Sequence, residues 1–228
     1  MKVLVLNGSP KAKSDTMQLT QAFLKGMKNV SEHDIEIIDI IKHNIKPCIG
    51  CFECWRTLDG RCVIKDFQNE ILAKMQAADC IIWSFPLYCC GMPSHVKAVL
   101  DRTLPFSKIR FGGSNEEPKY GENIFSSKKR CIVICGSGFP VNVVNFEALK
   151  IQCIHMFGRV RMICVNQTPL LNVPSAKEHA DKLLKKFEAA GEEFATRTYL
   201  YKETLDSLQT PMLSNEDYLK VAAEVGGN

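Results

Sequence analysis

The segment KVLVLNGSP at residues 2–10 is the stretch of sequence that decides the fold class. Residues 2–6 form a short, mostly apolar run, which is typical of a strand buried in a parallel sheet. Gly8 and Pro10 end that run, and Ser14 then provides an N-cap for a helix. Apolar residues recur every four positions in that helix, at Leu19, Phe23 and Met27. The segment therefore predicts a buried strand followed directly by an amphipathic helix.

The same alternation of strand and helix continues along the chain. Four more apolar runs predict strands, at residues 34–40, 80–85, 131–135 and 160–165. The helices that follow begin near Asp66, Ser94 and Phe146, and a long last helix completes the pattern. Five strands, each followed by a helix, predict a parallel α/β sheet with helices on both faces. An open, doubly wound sheet fits better than a barrel, which requires eight such units.

The composition is that of an ordinary globular protein. The chain has 228 residues, 46% hydrophobic and 24% charged, and this length suits one α/β domain. The 29 basic residues exceed the 25 acidic ones too slightly to indicate a nucleic-acid partner. No stretch approaches the roughly 18 apolar residues of a membrane helix, and the first apolar run is too short for a signal peptide. We therefore expect a cytoplasmic protein with no membrane partner, whose 11 cysteines are mostly reduced.

Two segments do not fit the alternation. Residues 105–129 are polar and contain glycine, so we expect them to form a long active-site loop. Residues 201–228 form a tail after a domain at residues 1–200, and we expect this tail to pack on a partner subunit. Folding onto its own subunit and fraying are the alternatives. The apolar residues that would supply partner contacts are Tyr199, Tyr201, Leu205, Leu208, Met212, Leu213, Tyr218 and Leu219.

The loop after the first strand carries the groups that a phosphate monoester needs. In an open parallel sheet, ligands bind beyond the carboxyl ends of the strands. This loop supplies hydroxyl groups and lysines just before a helix N-terminus, which is a favourable position for an anion. The Gly-Lys-Ser/Thr ending of a Walker loop is missing, and an ordinary polar turn is the alternative. The candidate residues are Ser9, Lys11, Ser14, Asp15 and Thr16.

The loops after the third and fourth strands are suited to a planar ring. Pro86 and Pro93 stiffen the first of these loops, while Gly91 allows close approach to its backbone. Tyr88 offers a flat stacking surface, and the alternative is that it fills the core beneath a rigid connection. The candidate residues are Pro86, Leu87, Tyr88, Cys89 and Gly91 in one loop and Gly136, Ser137, Gly138 and Phe139 in the other.

A cysteine-rich loop at residues 45–65 carries the sharpest local motif in the chain. Four thiols with the spacing Cys-x2-Cys-x2-Cys-x7-Cys are what an iron–sulfur cluster or a structural zinc ion requires. A reduced, packed loop is the third interpretation, with Phe52 and Trp55 filling its interface. The candidate ligands are Cys48, Cys51, Cys54 and Cys62. The cysteines on predicted strands and helices are interpreted as core residues.

Three motifs together resemble the NADPH-dependent FMN reductase branch of the flavodoxin-like fold. They are Asn-Gly-Ser-Pro after the first strand, Pro-Leu-Tyr after the third, and Lys-Ala-Val-Leu-Asp-Arg at residues 97–102. The resemblance runs from residue 1 to about residue 165, and it implies a three-layer sandwich with strand order 2-1-3-4-5. It also implies that the first loop holds the FMN phosphate and that the other two hold the isoalloxazine ring. Lys11 stands where many relatives have Arg, which keeps the charge but loses the forked geometry.

The cysteine motif resembles that of the iron–sulfur flavoproteins, a sub-branch of the same family. This resemblance implies that Cys48, Cys51, Cys54 and Cys62 are ligands of a [4Fe–4S] cluster. The family resemblance also implies a homodimer or homotetramer, because a second subunit usually completes the flavin site.

Three hypotheses are compatible with these resemblances: an enzyme, an electron carrier, and a flavin-binding regulatory or sensor module without turnover. The first is an FMN-dependent oxidoreductase that passes reducing equivalents from NAD(P)H to a small acceptor, such as a quinone or nitroaromatic compound. No catalytic side chain is expected in that case, because the flavin carries the chemistry. The alternative is an iron–sulfur flavoprotein that transfers electrons between redox protein partners.

Overall fold

The computed structural model describes residues 1–56, 61–106, 109–110, 119–120, 129–141 and 145–226. Seven strands lie within those residues. They are β1 (Lys2–Asn7), β2 (Asp34–Asp39), β3 (Cys80–Pro86), β4 (Ile109–Arg110), β5 (Lys119–Tyr120), β6 (Arg130–Gly136) and β7 (Val160–Val165). The helices are α1 (Asp15–Val30), α2 (Glu53–Arg56), α3 (Gln68–Ala77), α4 (Ser94–Asp101), α5 (Glu147–Phe157), α6 (Lys177–Arg197), α7 (Lys202–Leu208) and α8 (Asn215–Gly226).

Five of the strands form one parallel sheet in the order β2-β1-β3-β6-β7. When only these five are counted, the order is the expected 2-1-3-4-5, so the prediction of a flavodoxin-like, doubly wound sheet is confirmed. β4 and β5 pair with each other in a separate antiparallel ribbon. They are part of the predicted loop at 105–129, most of which lies outside the described residues.

Alternating residues of the central strands divide the core into two layers. Leu4, Ile81 and Trp83 face one side of the sheet, where they join the apolar faces of α3, α4 and α5. Val5 and Ile82 face the other side, where they pack against α1 and α6. Every residue of β3 except the last is buried, as expected for a central strand covered on both faces.

The local signals at helix starts are also confirmed. The Ser14 hydroxyl accepts a hydrogen bond from the Met17 N–H at 3.0 Å and caps α1. Ser94 is the first residue of α4. Within the described ranges, no helix is both long and apolar enough to cross a membrane.

Candidate functional site

The three predicted ligand-binding loops meet at one edge of the sheet. β3 lies between β1 and β6, so the carboxyl ends of these three strands are neighbours. The Gly8 N–H donates to the Ser84 carbonyl at 2.8 Å, and the Leu87 N–H donates to the Gly136 carbonyl at 2.7 Å. The fold therefore brings the three loops together, and their role in binding one ligand stays a prediction.

Three hydroxyl side chains of the first loop are buried at the N-terminus of α1. Ser9, Ser14 and Thr16 are 4%, 6% and 2% exposed. The Ser9 and Ser14 oxygens each accept a backbone N–H, which leaves both O–H groups able to donate to an anion. A methyl group added at Gly136 would come within 2.8 Å of the Thr16 hydroxyl oxygen. The first and third loops are thus in direct contact.

The charged residues of the first loop lie at its outer rim. Lys11 is exposed and its ammonium group is 3.5 Å from the Asp15 carboxylate. The Asn172 side-chain amide also donates to Asp15. Asp15 is therefore paired with groups of the protein, while Lys11 and the equally exposed Lys13 provide positive charge in this loop.

Two residues that were not in the predicted site organise the first loop. The Asn7 side chain accepts the Ser9 N–H at 3.0 Å and donates to Asp39 at 2.8 Å. Hydrogen bonds from Lys42 and then Asn7 hold the pKa of Asp39 below its ordinary value. His95, in the first turn of α4, lies 2.8 Å from the Gly8 carbonyl through its Nε2 atom. The contacts of Asn7 with Asp39 and of His95 with Gly8 join residues far apart in sequence, so no local sequence pattern indicates them.

The second loop makes a tight turn at residues 88–91. Tyr88 and Gly91 exchange two backbone hydrogen bonds, of 3.0 and 2.9 Å. Cys89 and Cys90 between them have φ values of 46° and 60°, the left-handed conformation that such a primed turn requires. Tyr88 is 44% exposed, which is wrong for core filler and suits a stacking surface. Leu87 is buried beneath the turn.

The third loop is hydrogen-bonded to the end of β7 and to the residues that follow it. The Ser137 N–H donates to the Val165 carbonyl at 2.8 Å, and Thr168 donates to the Ser137 carbonyl from its backbone N–H and its hydroxyl. The Ser137 hydroxyl accepts the Phe139 N–H at 3.1 Å. Phe139 itself is 52% exposed, so the loop presents an aromatic side chain to solvent from a fixed backbone.

The four cysteines of the 45–65 loop line one small cavity. Cys54 is buried and Cys51 is exposed, while the other two are intermediate. Burial, followed by the neighbouring thiols of the other three cysteines, raises the pKa of Cys54. Among the residues that the structure describes, no three His, Cys, Asp or Glu side chains lie close enough together to hold one metal ion.

A buried guanidinium group lines the same cavity. The Arg102 side chain has no exposed surface, and it donates to Asp66 at 2.5 Å and to the carbonyls of Lys46 and Ile64. Its Nε atom is buried and has no hydrogen-bond partner among the residues that the structure describes. Burial alone would lower the pKa of Arg102, but Asp66 and the Cys62 thiol raise it. The cation that lines this cavity is therefore paired with a buried carboxylate of the protein itself.

The other strand and helix cysteines are structural. Cys80, Cys131, Cys135, Cys153 and Cys164 are all buried. Burial raises the pKa of Cys80, Cys153 and Cys164 to about 12. These thiols therefore remain protonated and unreactive at neutral pH, in agreement with their interpretation as core residues.

The tail was expected to pack on a partner subunit, but part of it packs on its own subunit. Leu208 and Tyr218 are 0% and 5% exposed because they pack into apolar clusters of the same chain. The expectation that these two residues contact a partner is therefore wrong. Tyr199, Tyr201 and Leu219 remain exposed, and a partner contact through them stays a prediction.

Comparisons with known proteins agree with this architecture. An iron–sulfur flavoprotein of Methanocaldococcus jannaschii is 36% identical over 107 residues, 46% of this chain and 53% of the relative. One from Archaeoglobus fulgidus is 38% identical over 103 residues, 45% of this chain and 49% of the relative. The chain thus spans about half the length of the curated relatives it matches.

A solved NAD(P)H:quinone oxidoreductase from Methanothermobacter marburgensis shares the fold, with a TM-score of 0.64 and 16% identity. The superposition covers 85% of this chain and 96% of that structure. The family model for NADPH-dependent FMN reductase matches residues 1–171. The chain belongs to the NADPH-dependent FMN reductase family.

Proposed function

We propose that this protein binds FMN at the carboxyl edge of its sheet and uses it to pass reducing equivalents from NAD(P)H to a small acceptor. The observation that carries the proposal is the convergence of three loops at one edge, with three buried hydroxyls at the start of α1. Family membership supports FMN-dependent oxidoreduction. When bound, FMN supplies the hydride chemistry, and the protein supplies binding, orientation and exclusion of water.

The first loop is proposed to hold the FMN phosphate. Ser9, Ser14 and Thr16 can each donate an O–H, and the N-terminus of α1 adds the positive end of the helix dipole. Lys11 supplies a charge at the rim without fixing the phosphate orientation. The first loop offers one phosphate cradle at one helix N-terminus, which favours FMN over a dinucleotide such as FAD.

The second and third loops are proposed to hold the isoalloxazine ring. Tyr88 and Phe139 are aromatic, exposed and carried on loops with fixed backbones, so they can flank a planar ring from two sides. The turn at residues 88–91 brings backbone groups to the edge of the site. We propose a quinone or nitroaromatic acceptor, cytoplasmic location, and a homodimer or homotetramer as the working state.

Changing both Ser9 and Thr16 to Ala should weaken FMN binding by about 2 kcal/mol, because two hydrogen bonds of about 1 kcal/mol each are lost. That loss corresponds to a roughly 30-fold higher Kd, measured by quenching of flavin fluorescence. Riboflavin has no phosphate, so its Kd should change little. Thr204→Ala, a change of a hydroxyl residue in α7, is the control. Equal losses for FMN and riboflavin would place the phosphate elsewhere.

A second function is proposed on separate evidence, that of an iron–sulfur electron carrier. Four cysteines and a buried cationic side chain line one cavity, and two relatives are named iron–sulfur flavoproteins. If bound there, a [4Fe–4S] cluster would add one-electron chemistry, with Cys48, Cys51, Cys54 and Cys62 as its ligands. Redox proteins would then be the partners.

Cys51→Ala should remove bound iron from protein purified and reconstituted without oxygen, and it should leave FMN in place because the two groups occupy different loops. The measurement is iron and flavin content per chain. Cys90→Ala, which removes an exposed thiol outside the cysteine loop, should keep the iron. Absence of iron in the reconstituted unchanged protein would refute the cluster. Cys51→Ala would then be a change at an exposed position, within about 0.5 kcal/mol of the unchanged protein.

A further inference from the structure

We propose that the C-terminal helix α8 is part of the cofactor site, with Tyr218 and Asn215 as positioning residues for the loop at residues 136–141. This inference rests on the proposed binding of FMN. Neither residue belongs to the segment that matches the family model, which ends at residue 171. The contribution would thus come from a part of this chain outside the matched region.

Tyr218 reaches the third loop through its hydroxyl group. That hydroxyl donates a hydrogen bond to the Gly138 carbonyl. The ring is 5% exposed and packs with Leu170 and Ala176, which fixes the direction of the hydroxyl. Burial raises the pKa of Tyr218, so the hydroxyl stays protonated and remains a donor.

Asn215 holds the same loop three residues further along. Its side-chain oxygen accepts the Val141 N–H at 2.9 Å, and its amide group donates to the Val141 carbonyl at 3.3 Å. One side chain therefore satisfies both backbone groups of Val141. Tyr218 and Asn215 fix the loop on either side of Phe139, the exposed aromatic residue proposed to flank the flavin ring.

Gln167 links the tail to the backbone of Phe139 through hydrogen bonds. Its side chain is fully buried and exchanges two hydrogen bonds of 3.0 Å with the backbone of Leu213, just before α8. Its own N–H donates to the Phe139 carbonyl at 3.3 Å. Gln167 also has a left-handed backbone, with φ of 60°, a conformation that costs free energy in a residue other than glycine. The tail and the loop thus form one connected hydrogen-bonded unit.

This arrangement predicts an effect that differs from the loss of a phosphate contact. The loop at 136–141 is proposed to flank the ring, which FMN and riboflavin share. Loosening the loop should therefore weaken the binding of both flavins by the same factor, because the ring then has to order the loop when it binds. The ratio of the two affinities should stay at its original value.

The experiment measures Kd for FMN and for riboflavin in the unchanged protein, in Tyr218→Phe and in Asn215→Ala. Each change removes one or two hydrogen bonds and is expected to raise both Kd values about five- to tenfold. The flavin visible bands should shift in the same variants, since the ring environment changes. Thr210→Ala, which removes an exposed hydroxyl of the tail that donates to the Asp206 carbonyl, is the control and should change neither.

Asn215 is exposed, so its replacement leaves the fold intact and keeps the test valid if Tyr218→Phe proves unstable. Unchanged Kd values and unchanged visible bands in Asn215→Ala would overturn the inference. A rise for FMN alone would also overturn it, since that result would assign the effect to the phosphate. Failure of the unchanged protein to bind either flavin would instead refute the proposed function.

Discussion

Replacing Arg102 by Met is expected to lower the free energy of unfolding by about 3–5 kcal/mol, because it leaves the Asp66 carboxylate buried without its cation. Asp66 is 8% exposed and also accepts the N–H groups of Lys46 and Gln68. Urea unfolding at pH 7 measures the loss. Arg56→Met, which removes an exposed ion pair with Glu53, should cost less than about 1 kcal/mol.

Lowering the pH should reduce the difference in free energy of unfolding between the Arg102→Met variant and the unchanged protein. Burial alone would raise the pKa of Asp66, but the hydrogen bond from Arg102 holds it below its ordinary value. The contribution of this pair is therefore complete above the unfolded pKa of about 3.9 and is lost as pH falls through the lower folded value. A cost below about 1 kcal/mol at pH 7 would contradict the buried ion pair.

Gly191→Ala is expected to destabilise the protein by about 3 kcal/mol or more, although alanine favours a helix over glycine by about 1 kcal/mol. A methyl group at this position of α6 would lie 1.9 Å from the Phe23 carbonyl oxygen in α1. In α1, Gly26 is packed equally closely, with its added methyl 1.8 Å from the Glu188 carbonyl oxygen. The two helix backbones are therefore in contact at both glycines.

The sign of the stability change in Gly191→Ala tests whether α1 and α6 are in backbone contact. A glycine without a close neighbour would give a more stable helix when changed to alanine. Lys185→Ala, at an exposed position of the same helix, is the control and should lie within about 0.5 kcal/mol of the unchanged protein. Thermal or urea unfolding provides the measurement. A stabilised Gly191→Ala variant would contradict the packing of α1 on α6.

The features that were predictable from sequence are those set by local patterns. The buried run at 80–85 identifies a central strand, and Ser14 identifies the start of α1, because both signals need only neighbouring residues. The strand order came from the family resemblance and is confirmed. Likewise, the three loops proposed to bind the cofactor could be placed at one edge in advance because the carboxyl ends of adjacent parallel strands meet there.

The features that escaped prediction depend on contacts between distant parts of the chain. Asp66 was expected to cap a helix, and it does accept the Gln68 N–H, but its strongest partner is Arg102. The glycine contact between α1 and α6 joins residues far apart in sequence. In the sequence Tyr218 is one of several apolar residues of the tail, and only the fold shows that its hydroxyl donates to the Gly138 carbonyl. No periodicity encodes such pairings.

The most direct test of the proposed function is the anaerobic visible spectrum of the purified protein before and after addition of NADPH or NADH. We expect two flavin absorption bands, a heat-released cofactor that runs as FMN on chromatography, and loss of both bands when reduced nicotinamide is added. Addition of a quinone should then restore the bands. A cofactor that runs as FAD, or bound FMN that neither NADPH nor NADH bleaches, would contradict the account.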